Sequence, residues 1–129
     1  MRMLKSLFFL ILLDQITKAY FVSRDFFVRN YGLPFGLDFG LVWNIAVVLA
    51  GLFFFVWYYI KTQPRDDKIL VLAFALVFAG AISNLLDRLF LGFVRDFADL
   101  GLGFVFNLAD IFIAIGLILI FSQTKGNEV

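Results

Sequence analysis

The chain has 129 residues, 63% of them hydrophobic, and its mean hydropathy is +0.97. Soluble domains contain roughly 45–50% apolar residues, and a domain of this size leaves too much of its chain exposed to hide more. We therefore predict one integral-membrane domain, residues 1–129. The absence of Cys excludes disulfides, thiol nucleophiles and thiolate metal sites, and the absence of His leaves proton transfer to other groups. A net charge of +1 without a basic run gives nucleic-acid binding no support.

Four apolar segments are long enough to cross a bilayer, which takes about 20 helical residues. They run from about 3 to 22, 41 to 60, 69 to 86 and 104 to 121. The first follows Arg2 and Lys5 as a signal peptide would. However, Asp14 and Gln15 stand where a cleavage site needs small residues, so we expect a retained helix. The sequence thus predicts an all-α membrane protein with four transmembrane helices.

Four spans would put both termini and the short turn at 61–68 on one side, and the longer loops at 23–40 and 88–103 on the other. The first side holds six basic residues: Arg2, Lys5, Lys61, Arg65, Lys68 and Lys125. The second side holds four: Arg24, Arg29, Arg88 and Arg95. The small excess favours cytoplasmic termini and external loops, because segments rich in Lys and Arg tend to remain on the cytoplasmic side of the membrane.

Two Asn-x-x-Asp segments lie at the loop-side ends of the third and fourth spans: Asn84 to Asp87, and Asn107 to Asp110. Ionisable residues in spans cost about 2.5–3.5 kcal/mol each, which makes them functional candidates. The two segments reach the same depth from opposite directions, and residues three apart share a helix face. Of two close carboxylates in a poorly solvated site, one is held protonated and the other ionised. Such a pair can activate water as aspartic peptidases do, with the Asn amides orienting it, although an isolated Asp at a helix end usually only caps the helix.

Other polar residues allow more than one interpretation. Asp14 and Lys18, four apart in the first span, either form an ion pair that makes two costly charges tolerable or face a substrate. Asn30 and Gly32 alone indicate a turn. Oxygen ligands for a metal ion exist at Asp87, Asp96, Asp99 and Asp110, but acid–base chemistry needs neither metal nor cofactor, and we predict none.

Two rival functions suit a chain of this size. A small four-helix proton-coupled exporter requires an essential mid-span acid and obligate dimerisation, and Asp14 is the only acid in a mid-span position. A non-catalytic lipoprotein-binding or assembly subunit would keep the fold without activity. Nothing in the sequence demands that interpretation, since both acidic positions are filled.

Five motifs together resemble the lipoprotein signal peptidase family, also called signal peptidase II. They are DQITK at 14–18, NYGLPFG at 30–36, AISNLLDR at 81–88, VRDF at 94–97 and FNLAD at 106–110. The resemblance extends from about Leu10 to Gly116. It implies a four-helix aspartic peptidase of the bacterial inner membrane that cuts prolipoproteins just before a lipid-modified cysteine. The implied partners are that diacylglyceryl-modified substrate and membrane lipids, and we expect a monomer.

The resemblance also implies roles for single residues. Asp87 and Asp110 would be the catalytic dyad. The residues implied to line, brace or place substrate in the site are Asn84, Arg88, Asn107, Ala109, Asn30, Gly32, Asp14 and Lys18. Residues 23–40 would form an extracytoplasmic β-cradle, and residues 95–103 a periplasmic loop or half-helix that closes over the substrate.

The chain departs from the family pattern in three respects. It is shorter than typical members, mostly at its ends and in the turn between spans two and three. Ser83 stands where Gly is usual before the Asn, and Leu33-Pro34 replaces the usual small residues. These departures leave the two acidic positions intact and bear on substrate fit.

Overall fold

The computed structural model describes residues 2–64 and 67–126. Its four α-helices are α1 (Arg2–Ser23), α2 (Leu41–Thr62), α3 (Lys68–Leu91) and α4 (Leu108–Gly126). Within these residues, α1 from Met3, α2 and α3 are long and apolar enough to cross a membrane. The apolar part of α4, Leu108–Gln123, is shorter. The mostly helical membrane fold is confirmed, and the fourth span stays a prediction.

Helix α3 extends beyond its predicted end at Leu86. It continues to Leu91 and stops at Gly92, whose φ of +81° only glycine adopts without strain. The Gly92 N–H donates to the Arg88 carbonyl at 3.1 Å and closes the last turn. Asp87 and Arg88 therefore lie inside a regular helix rather than in a loop.

Helix α4 begins four residues later than predicted because Asn107 and Asp110 cap it reciprocally. The Asp110 N–H donates to Asn107 Oδ1 at 3.0 Å, and the Asn107 N–H donates to Asp110 Oδ2 at 3.1 Å. Such a cap satisfies two helix N–H groups that have no partner within the helix. It also fixes the Asp110 side chain at the helix N-terminus.

Two small antiparallel sheets lie between the helices. Strand β1 (Val28–Asn30) pairs with β2 (Val94–Asp96) so that Asn30 lies opposite Val94. Strand β3 (Ala98–Asp99) pairs with β4 (Val105–Phe106). The first loop thus contributes one strand, as the β-cradle prediction required, and its partner strand comes from the segment before α4.

Of the loop or half-helix predicted at 95–103, the half-helix is wrong. Residues 94–106 contain strands β2, β3 and β4, and Gly101 and Gly103 adopt φ values of +71° and +84° that a helix does not allow. The Asp99 carboxylate accepts the Gly101 N–H at 2.8 Å and starts the turn. A short 3₁₀ turn lies instead in the first loop, at Pro34–Gly36.

Helix α3 is the centre of the molecule and packs against α1, α2 and α4. Its buried apolar residues, with Phe74 and Phe78 as the largest, form the core together with Ile120 of α4. Large side chains on the outer faces of α1 and α2 are exposed, as at Phe8 and Phe53. A bilayer solvates such faces, which water would not.

Helices α3 and α4 approach closely through two glycines. A Cβ built on Gly80 would lie 2.3 Å from the Ala109 carbonyl oxygen, and one on Gly116 would lie 2.6 Å from the Ala73 carbonyl oxygen. Small residues allow this approach between membrane helices. Gly80 therefore brings the N-terminal turn of α4, with Asp110, against α3.

Candidate active site

Buried polar side chains form one cluster where the end of α3 meets the start of α4. The buried members come from α1, α3, β2 and the N-cap of α4: Asp14, Lys18, Ser83, Asn84, Asp87, Arg88, Asp96 and Asn107. Buried charges persist only where partners satisfy them. A cluster of this size in a chain so apolar is the first candidate for a functional site.

The structure brings the two Asn-x-x-Asp segments together through their asparagines. Asn84 Nδ2 donates to Asp110 Oδ1 at 2.9 Å, and Asn107 Nδ2 donates to Asn84 Oδ1 at 3.0 Å. Asp110 thus accepts hydrogen bonds from α3 and from its own helix cap. Its carboxylate is both a capping group and a member of the buried cluster, so its role as a cap does not exclude the catalytic role predicted for it.

Asp96, the last residue of β2, shares a partner with Asp110. Asn107 Nδ2 donates to Asp96 Oδ1 at 2.8 Å, while the Asn107 N–H donates to Asp110. Asn30 Nδ2 donates to Asp96 Oδ2 at 2.8 Å. Burial raises the pKa of Asp96 to about 6, against the lowering effect of the Asn30 bond and with a further raising effect from the Asp110 charge. Sequence reasoning named Asp96 only as a conceivable metal ligand and within a family motif.

Asp87 lies in a different environment from the one predicted for half of an acid–base pair. Arg95 donates to it from NH2 at 2.7 Å, from Nε at 3.2 Å and from its backbone N–H at 3.0 Å. Lys18 Nζ lies 3.3 Å away, and Gln15 Nε2 donates at 3.1 Å. Two cations hold Asp87 ionised and occupy both its oxygens. Among the described residues, Asp87 shares no donor with Asp110.

Asp14 and Lys18 form an ion pair, the first of the two alternatives, at 2.7 Å and fully buried. The pair also braces three elements. Lys18 Nζ donates to Asn84 Oδ1 at 2.9 Å, and Asp14 accepts the Ala109 N–H at 2.7 Å and the Ser83 hydroxyl at 2.6 Å. These bonds join α1 to α3 and to the first turn of α4, so the geometry favours a bracing role over contact with substrate.

Asn30 and Gly32 do more than form a turn. Asn30 Oδ1 accepts the Gly32 N–H at 2.9 Å, and the Gly32 carbonyl accepts a hydrogen bond from Arg88 NH2 at 2.8 Å. The first loop is thereby tied to α3 through Arg88 and to β2 through Asn30. The buried Arg88 Nε has no hydrogen-bond partner among the described residues.

Besides Asp96, four contributing residues were not singled out as site residues from the sequence. Gln15 Nε2 donates to Ser83 Oγ at 2.9 Å, and Gln15 Oε1 accepts from Arg95 NH2 at 2.6 Å. Asn44 fixes the first loop, donating to the Tyr31 carbonyl at 3.0 Å. A signal existed for each: Gln15, Ser83 and Arg95 lie inside the quoted motifs, and Asn44 interrupts an otherwise apolar span.

Comparison with known proteins identifies the family. A family profile described as Signal peptidase (SPase) II matches residues 6–124. The chain belongs to the signal peptidase II family. Among its relatives, a lipoprotein signal peptidase of Bacillus pumilus (strain SAFR-032) is 35% identical, over 90% of this chain and 87% of that protein. One from Syntrophomonas wolfei subsp. wolfei is 34% identical, over 99% and 98%.

A solved bacterial membrane enzyme has the same fold, with a TM-score of 0.82 at 27% identity, over 98% of this chain and 89% of that one. A second reaches 0.79 at 28% identity. Signal peptidase II membership makes the chain a membrane peptidase and confirms the resemblance drawn from the five motifs. It also argues against the exporter alternative.

The raised pKa of Asp96 predicts how stability depends on pH. The folded state holds the Asp96 proton up to about pH 6 and the unfolded state only to about 3.8. Between these values the folded state binds more protons, so stability falls as pH rises. We expect the melting temperature of the wild type in detergent to fall more steeply than that of Asp96→Asn between about pH 4 and pH 7. Melting temperatures that change with pH by the same amount in the two proteins would contradict a raised pKa of Asp96.

Proposed function

We propose that the chain is an aspartic endopeptidase that removes the signal peptide from diacylglyceryl-modified prolipoproteins, cutting before the lipid-modified cysteine. Family membership and the names of the relatives support the substrate class. The residues support the chemistry: without Cys and His, buried carboxylates are the groups available for acid–base work.

The observation on which the proposal depends is the environment shared by Asp96 and Asp110. Asn107 contacts both carboxylates, and no Lys or Arg nitrogen of the described residues lies within 4.0 Å of either. Asp110 also affects the ionisation of Asp96. Two coupled carboxylates without a direct cationic partner are the arrangement in which one proton is shared. We therefore propose Asp96 and Asp110 as the catalytic pair.

The charges of the cluster agree with a single shared proton. It contains four carboxylates (Asp14, Asp87, Asp96 and Asp110) and three cations (Lys18, Arg88 and Arg95). With every group ionised, these four negative and three positive charges leave the cluster with a net charge of −1. One proton on the catalytic pair makes the cluster neutral, which is the least costly state for a site taken out of water.

The proposed mechanism follows from that proton. The ionised carboxylate takes a proton from a water molecule, which attacks the scissile carbonyl carbon. The protonated carboxyl donates its proton to the carbonyl oxygen, which gives a tetrahedral gem-diol. The C–N bond then breaks as the carboxyl that took the water proton gives it to the leaving nitrogen, and a gem-diol hydroxyl returns its proton to the other carboxylate, which restores the pair. Asn84 and Asn107 orient the carboxylates through the hydrogen bonds described above. Because the two groups titrate as a unit, the roles belong to the pair.

The pairing of Asp87 with Asp110, predicted from the sequence, is the alternative. It requires Asp87 to exchange protons while Arg95 and Lys18 bind both its oxygens. A group so held stays ionised and makes a poor acid. In our proposal Asp87 is a brace that joins α3 to β2.

We also propose a four-span topology with cytoplasmic termini and the site near the outer face. The six-to-four excess of basic residues on the terminal side supports the orientation. The buried cluster lies at the loop-side end of α3, where a substrate anchored in the outer leaflet can reach it. The acyl chains would lie against exposed apolar side chains of the helices, and a monomer contains every residue of the proposed site.

The test is incubation of the purified protein in detergent with a diacylglyceryl-modified prolipoprotein, followed by mass spectrometry. We expect two products, a signal peptide and a protein whose first residue is the lipid-modified cysteine. The matched control is the same precursor without the lipid, which we expect to remain intact. An uncleaved lipid-modified precursor, or a stable complex without cleavage, would refute the enzyme and favour the non-catalytic alternative.

A further inference from the structure

Arg95 has no role in the reaction as proposed, yet it makes more contacts within the cluster than a surface arginine does. Its guanidinium donates hydrogen bonds to the Asp87 carboxylate from Nε and NH2, and NH2 also donates to Gln15 Oε1 at 2.6 Å. The side chain is only 15% exposed. A two-pronged contact of this kind restricts both direction and distance, which a lysine cannot do.

The position of Arg95 in the chain gives this contact a consequence. Arg95 immediately precedes Asp96 on β2, and its backbone N–H is bound to Asp87 at 3.0 Å. The β1–β2 sheet has only two strands of three residues each, and such a sheet is not stable alone. The bonds from Arg95 to α3 therefore hold β2 in the register that directs Asp96 to Asn107.

The charge of Arg95 has a second consequence. The charges that act on Asp96 come from three neighbouring elements: Lys18 of α1, Arg88 of α3 and Asp110 of α4. Asp87 of α3 acts on Arg88, the same guanidinium that interacts with Asp96. Arg95 compensates Asp87, and the cluster sum is −1. Without Arg95 the sum becomes −2, and the added negative potential makes the cluster retain protons to higher pH.

We propose that Arg95 is a positioning residue for the Asp96–Asp110 pair: it fixes β2 against α3, and it supplies the positive charge that balances Asp87. The inference rests on the proposed function, because it concerns the same pair. It assigns Arg95 two separable effects, one of geometry and one of charge.

Three variants separate the two effects. Arg95→Lys keeps the positive charge but loses the two-pronged contact with Asp87. We therefore expect kcat to fall about tenfold, while the pH dependence of kcat stays that of the wild type. Arg95→Gln loses both the charge and the two-pronged contact. The same fall in kcat should then come with a shift of the acidic and basic limbs of the pH–kcat profile to higher pH by about one unit. In Asp87→Asn/Arg95→Gln the two lost charges cancel, and the limbs should return to their wild-type positions. KM should stay within about twofold, since Arg95 orients the pair and not the substrate.

The matched control is Arg29→Gln. Arg29 lies directly opposite Arg95 in the β1–β2 ladder, but its guanidinium lies over the Phe93 ring, 5.2 Å from the centroid. We expect wild-type kcat and wild-type limbs. Arg95→Gln with unmoved limbs, whether or not kcat and melting temperature fall, would reduce Arg95 to a structural residue and overturn the proposal.

A second measurement separates this inference from the proposed function. If the wild type cleaves no lipoprotein, the proposed function fails, and the charge effect is then measured by ¹³C NMR titration of the Asp96 carboxyl group, assigned with Asp96→Asn. The inference predicts that the midpoint rises by about one pH unit in Arg95→Gln and returns in the double variant. An unchanged midpoint in Arg95→Gln contradicts it.

Discussion

Asp110→Asn and Asp96→Asn are each expected to reduce cleavage of a lipid-modified prolipoprotein by about 10³-fold or more while leaving the protein folded. General acid–base catalysis contributes about 10²–10⁴-fold, and an amide can neither accept the proton of water nor donate one to the leaving nitrogen. The fold should survive because Asn at position 110 can still accept the Asn107 N–H that caps α4. The measurement is kcat/KM by quantitative mass spectrometry of the released signal peptide.

The matched control for this prediction is Asp99→Asn. Asp99 lies on β3 in the same connection, and its carboxylate accepts the Gly101 N–H outside the buried cluster. Its replacement changes the same charge on the same face of the protein. We expect cleavage within about threefold of the wild type. Near-wild-type cleavage by Asp96→Asn or by Asp110→Asn would remove that residue from the proposed pair.

Gly80→Ala is expected to destabilise the protein by about 3 kcal/mol, at the upper end of the usual cost of overpacking. The new Cβ would lie 2.3 Å from the Ala109 carbonyl oxygen and 2.7 Å from Ile113 Cγ1. A backbone oxygen cannot rotate away, so α4 must move off α3. That movement displaces Asp110 and pulls the Ala109 N–H from Asp14, and a shift of about 1 Å can cost about 10²-fold in rate.

The control for Gly80 is Gly51→Ala on α2, where a Cβ would meet nothing within 4 Å. Alanine in a helix interior is about 1 kcal/mol better than glycine, so this variant should keep activity and gain a little stability. The comparison uses thermal unfolding in detergent and kcat on one substrate. A Gly80→Ala protein as stable and as active as Gly51→Ala would show that the close α3–α4 approach does not hold the site together.

The parts of the fold that could be predicted from the sequence are those set by local composition. The positions of the four apolar segments follow from their length and hydropathy, and each corresponds to a helix. The meeting of Asn84 with Asp110 could be predicted as well, because two spans of opposite direction must bring their loop-side ends to the same depth. Helix limits were less predictable: Gly92 ends α3 and the Asn107–Asp110 cap starts α4, each within a few residues of the predicted limit.

The partners within the site could not be predicted in this way. Asp87 was paired with Asp110 because both follow an Asn by three residues, and sequence spacing carries no information about Arg95. Arg95 reaches Asp87 only because Gly92 turns the chain back and β2 pairs with β1, whose Val28 lies opposite Asp96, 68 residues away. Contacts at such separation are set by tertiary packing, and they distinguish an ion-paired brace from an acid–base group.

The β-cradle and the half-helix show the same limit. The resemblance implied the β-cradle, and a half-helix as one of two forms for the later connection, and the first loop does supply a strand. The connection at 95–103 was expected to be a loop or a half-helix, and Gly101 and Gly103 take positive φ there, so a turn with a strand pair forms and no half-helix does. Two glycines two residues apart favour a turn over a helix, so composition alone could have excluded the half-helix alternative.

The measurement that tests the Asp96–Asp110 assignment most directly is cleavage of a diacylglyceryl-modified prolipoprotein by Asp87→Asn/Arg95→Gln beside Asp96→Asn. The double variant removes both members of an ion pair, and a neutral pair in its place can leave stability nearly unchanged. We predict that it keeps at least about a tenth of wild-type kcat, while Asp96→Asn shows no turnover above background. Loss of all cleavage in the folded double variant, with activity retained in Asp96→Asn, would contradict the account and return the catalytic role to Asp87.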